Sequence, residues 1–174
     1  SDQGLGDGLV LGNGSGLYDN NRVSAGAITR LLSGVYNDFR VRADFLASLA
    51  VMGVDGTARR RLKDDSARGW VRVKTGTLDG ISALSGFAGT RARRPVAFSV
   101  LFNGLERYKT PAAREIQDGI VAAIIDAIED PRGQESRCKG TVPKQLSYLT
   151  SGVIPAQAGT CLDMLDSAAK KFSP

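Results

Sequence analysis

Residues 71–104 read VRVKTGTLDGISALSGFAGTRARRPVAFSVLFNG, and their patterning decides the fold. Val71 and Val73 alternate with Arg72 and Lys74, the period of a strand with one buried face. Leu78-Asp79-Gly80 supplies a turn, so ISALSGFAGT (81–90) reads as the partner strand. A polar, basic link, TRARRP, leads to VAFSVLFNG (96–104), whose nearly unbroken apolar run predicts a strand buried on both faces. Three strands on short links make an antiparallel meander.

Helices flank this meander. Downstream, Thr110 reads as a cap and Pro111 as the first helical residue of a helix running to about Asp130. Ile116, Ile120, Ile124 and Ile128 recur at i+4 beside Val121 and Ile125, a stripe that must pack on the sheet. Upstream, Ser24 reads as an N-cap, with Ile28, Leu31, Leu32 and Val35 at helical spacing. A second short helix is expected around 41–51, where Phe45, Leu46 and Leu49 share a face. VDGT (54–57) is a turn leading into ARRRL, read as a further helical turn. Residues 1–23 are glycine-rich and hold the turn cluster GNGSGLYDNNR, and residues 131–174 are polar, Ser/Gly/Gln-containing sequence with scattered apolar positions. The fold class is α+β: an antiparallel sheet with packed helices.

Composition narrows the chemistry. A chain of 174 residues with net charge +5 and pI near 9.5 fits one domain with a mild preference for anionic partners. No apolar run approaches the roughly 18 residues of a membrane span. The absence of histidine excludes Ser-His-Asp and Cys-His nucleophile activation, HExxH metallopeptidases and histidine metal sites. No cofactor and no metal are expected. Cys138 and Cys161 form no CxxC pair, and are read either as buried thiols or as a bridge. A bridge closing that loop would contribute about 3 kcal/mol.

Without histidine, a hydrolytic site must activate its nucleophile with lysine, carboxylate or metal. Lys74 stands on a strand beside Gly76, whose missing side chain lets a ligand approach the backbone. Thr75 and Thr77 add hydroxyls, and the Thr77 N–H is a candidate donor to the same space. A lysine, hydroxyls and a free amide suit a substrate carboxylate and a developing oxyanion. From the tetrapeptide alone, a solvated strand lysine with threonines chosen for β propensity is the alternative.

Context favours the site. K-T-G followed by Thr is the third signature of the penicillin-binding proteins and serine β-lactamases. NGSGLYDNNRVSAGAITRLL (13–32), VMGVDGTARRRL (51–62), VRVKTGTLDGISALSGFAG (71–89) and VAFSVLFNG (96–104) together resemble, in order, segments of the penicillin-binding protein 4 type of D-alanyl-D-alanine carboxypeptidase/endopeptidase. The resemblance covers about residues 13–130. It implies the C-terminal portion of a transpeptidase-like domain over 1–130, with 131–174 as an extension stapled where Cys138 and Cys161 bridge. It also implies a serine-type hydrolase acting on peptidoglycan stem peptides through an acyl-enzyme, inhibited by β-lactams and located outside the cytoplasm.

Residue roles follow from the same resemblance. Lys74 helps hold the substrate carboxylate and the proton network, Thr75 and Thr77 bind that carboxylate, and the Thr77 N–H forms half of the oxyanion hole. Leu17 and Asp19 are candidates to contact the peptide side chain. Many members carry arginine where this chain has Asp19, so recognition of a diaminopimelate carboxylate does not carry over.

The nucleophile motif is the main departure. In this family S-x-x-K and S-x-N both precede KTG. Here S-x-x-K occurs only as Ser136-Arg-Cys-Lys139 and Ser167-Ala-Ala-Lys170, both after it. Tyr18-Asp-Asn20 imitates the Y-x-N variant of the second motif but lies too near Lys74. The expected partner is therefore an N-terminal part of the same enzyme that supplies the serine. Without it the chain should not turn over substrate, and should expose a sheet edge and an uncovered helix face. Two other readings are a non-catalytic relative that binds peptidoglycan or protein, and a polyanion-binding module built on Arg59-Arg60-Arg61 and Arg91, Arg93 and Arg94. Aromatics are only 6% of the chain and none interleaves with these clusters, so no nucleic-acid partner is expected.

Overall fold

The computed structural model describes residues 9–17, 21–62, 68–91, 93–126 and 150–155. A short ladder, β1 (Leu9–Val10) with β2 (Arg22–Val23), precedes helices α1 (Ala25–Asn37) and α2 (Phe39–Ser48). Then come β3 (Ala50–Val51), a 3-10 turn at Gly56–Ala58, and the meander β4 (Val71–Leu78), β5 (Ile81–Gly89) and β6 (Pro95–Phe102). A second 3-10 turn at Arg107–Lys109 leads into α3 (Thr110–Asp126), and β7 (Thr150–Pro155) closes the described chain. The main sheet is antiparallel in the order β3-β4-β5-β6-β7.

The sheet is covered on both faces. On one, Val71, Val73, Leu84, Ala88, Val96, Phe98 and Val100 pack with Ile120, Val121, Ile124 and Ile125 of α3. Each such valine, leucine, isoleucine or phenylalanine side chain, taken out of water, contributes roughly 1.5–3 kcal/mol. On the other face Phe87 and Ala97 meet Leu32 of α1 and Leu49, with Ile28, Tyr36, Phe45 and Leu46 around them. β6 is thus buried on both sides, as its apolar run predicts. Gly86 lets β4 and β5 approach: a Cβ there would run into the Arg72 carbonyl.

Local rules account for most helix ends. Ser24 caps α1 by accepting from the Ala27 N–H at 3.1 Å. Asp38 closes α1 and caps α2 through the Arg40 N–H at 3.0 Å. Thr110 differs from its expected role. Its backbone is already helical (φ −56°, ψ −41°), because the 3-10 turn at Arg107–Lys109 runs straight into α3. ARRRL likewise adds no helical turn beyond Gly56–Ala58. In α1 the buried residues are Ala25, Ala27, Thr29 and Leu32, while Leu31 points outward at 47% exposure.

The expectation of bare surfaces is met in part. Leu31, Phe39 and Val41 leave an apolar helix face exposed. The outer edge of β6, however, is filled by β7, which pairs from Val96↔Pro155 to Leu101↔Thr150. No described helix is long and apolar enough to cross a membrane.

Candidate active site

A cleft of about 980 Å³ opens at the end of the sheet where β4 outruns β3. Four segments line it: Gly56, Thr57, Arg59, Arg60 and Arg61; Lys74, Thr75 and Thr77 of β4; Ser82 and Ala83 of β5; and Pro111, Arg114, Glu115 and Asp118 of α3. The register explains why β4 offers backbone there. Gly89 N–H donates to the Trp70 carbonyl at 2.9 Å, so even-numbered β4 residues exchange bonds with β5 and odd-numbered ones face the other edge. Met52 N–H accordingly meets the Val71 carbonyl at 2.9 Å. β3 reaches only as far as Val73. Beyond it the Thr75 and Thr77 backbone groups have no strand partner among the described residues.

Side chains converge on that open edge. Lys74 leaves the strand on the α2 side, beside Arg72, yet its Nζ bends round the edge to donate to the Thr75 carbonyl at 2.7 Å. Thr75 Oγ1 lies 2.6 Å from Thr57 Oγ1. Arg114 donates from Nη2 to Thr77 Oγ1 at 3.3 Å. Gly76 faces Ala83, where an added Cβ would come within 3.3 Å of the alanine methyl.

A polar network holds the wall rigid. Arg61, only 10% exposed at its side chain, pairs with Asp118 at 2.8 Å. It also donates to the Arg114 carbonyl and Gln117 Oε1, both at 3.0 Å. Buried Gln117 in turn donates to Ser82 Oγ on β5 at 3.3 Å. With Asp118 neutralised by Arg61, the remaining lining charges are Arg59, Arg60, Lys74 and Arg114 against Glu115. The cleft therefore attracts anions.

Lys74, Thr75, Gly76 and Thr77 are brought together as their spacing on one strand requires. Leu17, exposed in the loop after β1, is not part of this cleft. Asp19, Cys138, Cys161, Ser136 and Ser167 lie outside the described residues. Thr57 and Arg114 were not anticipated from the sequence. VDGT and the first turns of α3 are legible as local structure, but nothing local says that they close on KTGT. Of the basic clusters, Arg61 is tied into the network and Arg91 pairs with Asp126 at 2.8 Å. Among the described residues no group of three or more His, Cys, Asp or Glu could hold a metal ion.

Residues 4–125 match the model of the D-Ala-D-Ala carboxypeptidase 3 (S13) family. The chain belongs to that family. Among its relatives is the D-alanyl-D-alanine carboxypeptidase of Actinomadura sp. (strain R39), 37% identical over 68% of this chain and 22% of the relative. The fold is similar to penicillin binding protein 4 of Haemophilus influenzae, with TM-score 0.58 and 25% identity over 69% of this chain and 29% of that one. It also matches that protein complexed with a β-lactam (TM-score 0.53, 24% identity), over 69% of this chain and 30% of that one. The chain spans about a quarter or less of the length of the curated relatives it matches.

Proposed function

We propose that these residues form the KTG wall of a serine-type D-alanyl-D-alanine carboxypeptidase, acting with a serine-bearing portion outside the 174 residues. The observation that carries the reading is the convergence of Lys74 Nζ, the Thr75 and Thr77 hydroxyls and the open β4 edge on one cationic cleft. The S13 family and the carboxypeptidase relatives support the reaction class, and the β-lactam bound to the similar structure supports β-lactams as inhibitors.

In the proposed reaction a serine attacks the carbonyl of the penultimate D-alanine of a peptidoglycan stem peptide. The peptide bond to the terminal D-alanine breaks, that residue leaves as the free amino acid, and water then hydrolyses the acyl-enzyme. Thr75 and Thr77 bind the terminal carboxylate. The Thr77 N–H donates to the tetrahedral oxyanion, where each such donor accounts for roughly 10²–10³ in rate. The Lys74 ammonium stabilises both charges and joins the proton path to the leaving amine. Gly76 leaves room for the peptide along the strand. Such an enzyme works outside the cytoplasm, where peptidoglycan lies, and endopeptidase cleavage of cross-links uses the same steps.

The test is D-alanine release from a peptide ending in D-Ala-D-Ala by the longer enzyme carrying these residues. Lys74→Ala should lower acylation on the order of a hundredfold or more, leaving the fold intact. Undiminished acylation by that variant would remove Lys74 from the mechanism. A non-catalytic, peptidoglycan-binding relative would show no release with the intact lysine either.

A further inference from the structure

Resting on the carboxypeptidase reading, we propose that Arg114 is a direct ligand of the substrate's terminal carboxylate and so a determinant of specificity for a free C-terminus. Arg114 stands in the second turn of α3, on an element 37 positions from Thr77, and reaches across the cleft to its hydroxyl at 3.3 Å. The backbone that carries Arg114 is anchored from behind, since the Arg114 carbonyl accepts from Arg61 at 3.0 Å and Arg61 is itself fixed by Asp118 and Gln117. No carboxylate among the described residues pairs with it.

The remaining N–H groups are thus available to a ligand. A planar fork of donors beside a hydroxyl is the geometry that grips a carboxylate with two parallel bonds. Arg114 also differs from Lys74 in what it can do. Lys74 Nζ is drawn onto the Thr75 carbonyl at the strand edge, whereas Arg114 sits at Thr77 on the α3 side. The two cations therefore stand at different points of the cleft: the lysine serves the proton path as well as the charges, the arginine the terminal charge only. Exposed Arg59 and Arg60 line the same cleft and reinforce the pull on an anion.

The test uses the 174-residue chain, ¹⁵N-labelled, titrated with N-acetyl-D-Ala-D-Ala and separately with its C-terminal amide. Amide signals of Thr75 and Thr77 and the Arg114 Nε–H report binding, and the readout is the acid-to-amide affinity ratio. The wild-type chain should prefer the acid. Arg114→Ala should cut that preference about tenfold, the scale of one charge-assisted contact, and Arg114→Lys should restore part of it. An unchanged preference in Arg114→Ala would overturn the assignment of Arg114 while leaving the threonine carboxylate site standing. A wild-type chain indifferent to acid and amide would overturn both.

Discussion

Thr57 Oγ1 and Thr75 Oγ1 lie 2.6 Å apart, joining the 3-10 turn at Gly56–Ala58 to the KTG strand. The contact fixes the direction of the Thr75 hydroxyl before any ligand arrives. Thr57→Val keeps shape and removes the partner. Losing one such hydrogen bond costs about 1 kcal/mol, roughly fivefold in affinity. Acid-peptide binding by the chain should weaken by that factor, and Thr57→Ser should recover it.

The Arg61–Asp118 pair tests the rigidity of the wall. Arg61 serves three acceptors from a nearly buried position. Arg61→Ala strands Gln117 and Asp118 and should cost on the order of 2–3 kcal/mol, read as a lower denaturant midpoint. Arg59→Ala, at an exposed position with no such network, should leave stability within about 0.5 kcal/mol.

Gly86 tests the β4–β5 approach. A methyl there meets the Arg72 carbonyl and the Val73 backbone, so Gly86→Ala must push apart the strand that carries Lys74. Overpacking of this kind costs roughly 1–3 kcal/mol, and the Thr75 and Thr77 amide signals should shift. Gly14, with no atom near its missing Cβ, is the matched control and should be silent.

Acid should loosen the junction of α1 and α2. The Arg40 guanidinium, hydrogen-bonded to Asp38, holds that carboxyl down at about 2. A depressed carboxyl stabilises the fold above its ordinary value near 4 and loses that contribution as pH falls toward 2. The Arg40 N–H, bonded to the Asp38 carboxylate, should therefore exchange faster across that window. Asp38→Asn should abolish the pH dependence at Arg40.

Much of this architecture is legible along the chain because its signals are local. The alternation at Val71–Lys74, the apolar run of β6 and the isoleucine stripe of α3 each state which face is buried. The site is legible only where it lies on one strand, so Lys74, Thr75 and Thr77 could be named together. Thr57 and Arg114 reach the cleft from 18 and 37 positions away, and tertiary packing brings them there. Leu31 and Thr110 show the limit of local rules. Leu31 sits beside the buried stripe of α1 rather than on it, and the capping position before α3 is overridden by the preceding 3-10 turn. β7 is not legible because Thr150–Pro155 offers too short an apolar pattern to stand out in a polar stretch.

The most direct measurement is the intact mass of the 174-residue chain after incubation with excess penicillin. No covalent adduct is predicted, because the reacting serine is placed outside these residues, and adding the serine-bearing portion should produce acylation there. A stoichiometric adduct on the chain alone would contradict that placement, and peptide mapping would then show which of its own serines, Ser136 and Ser167 included, had reacted.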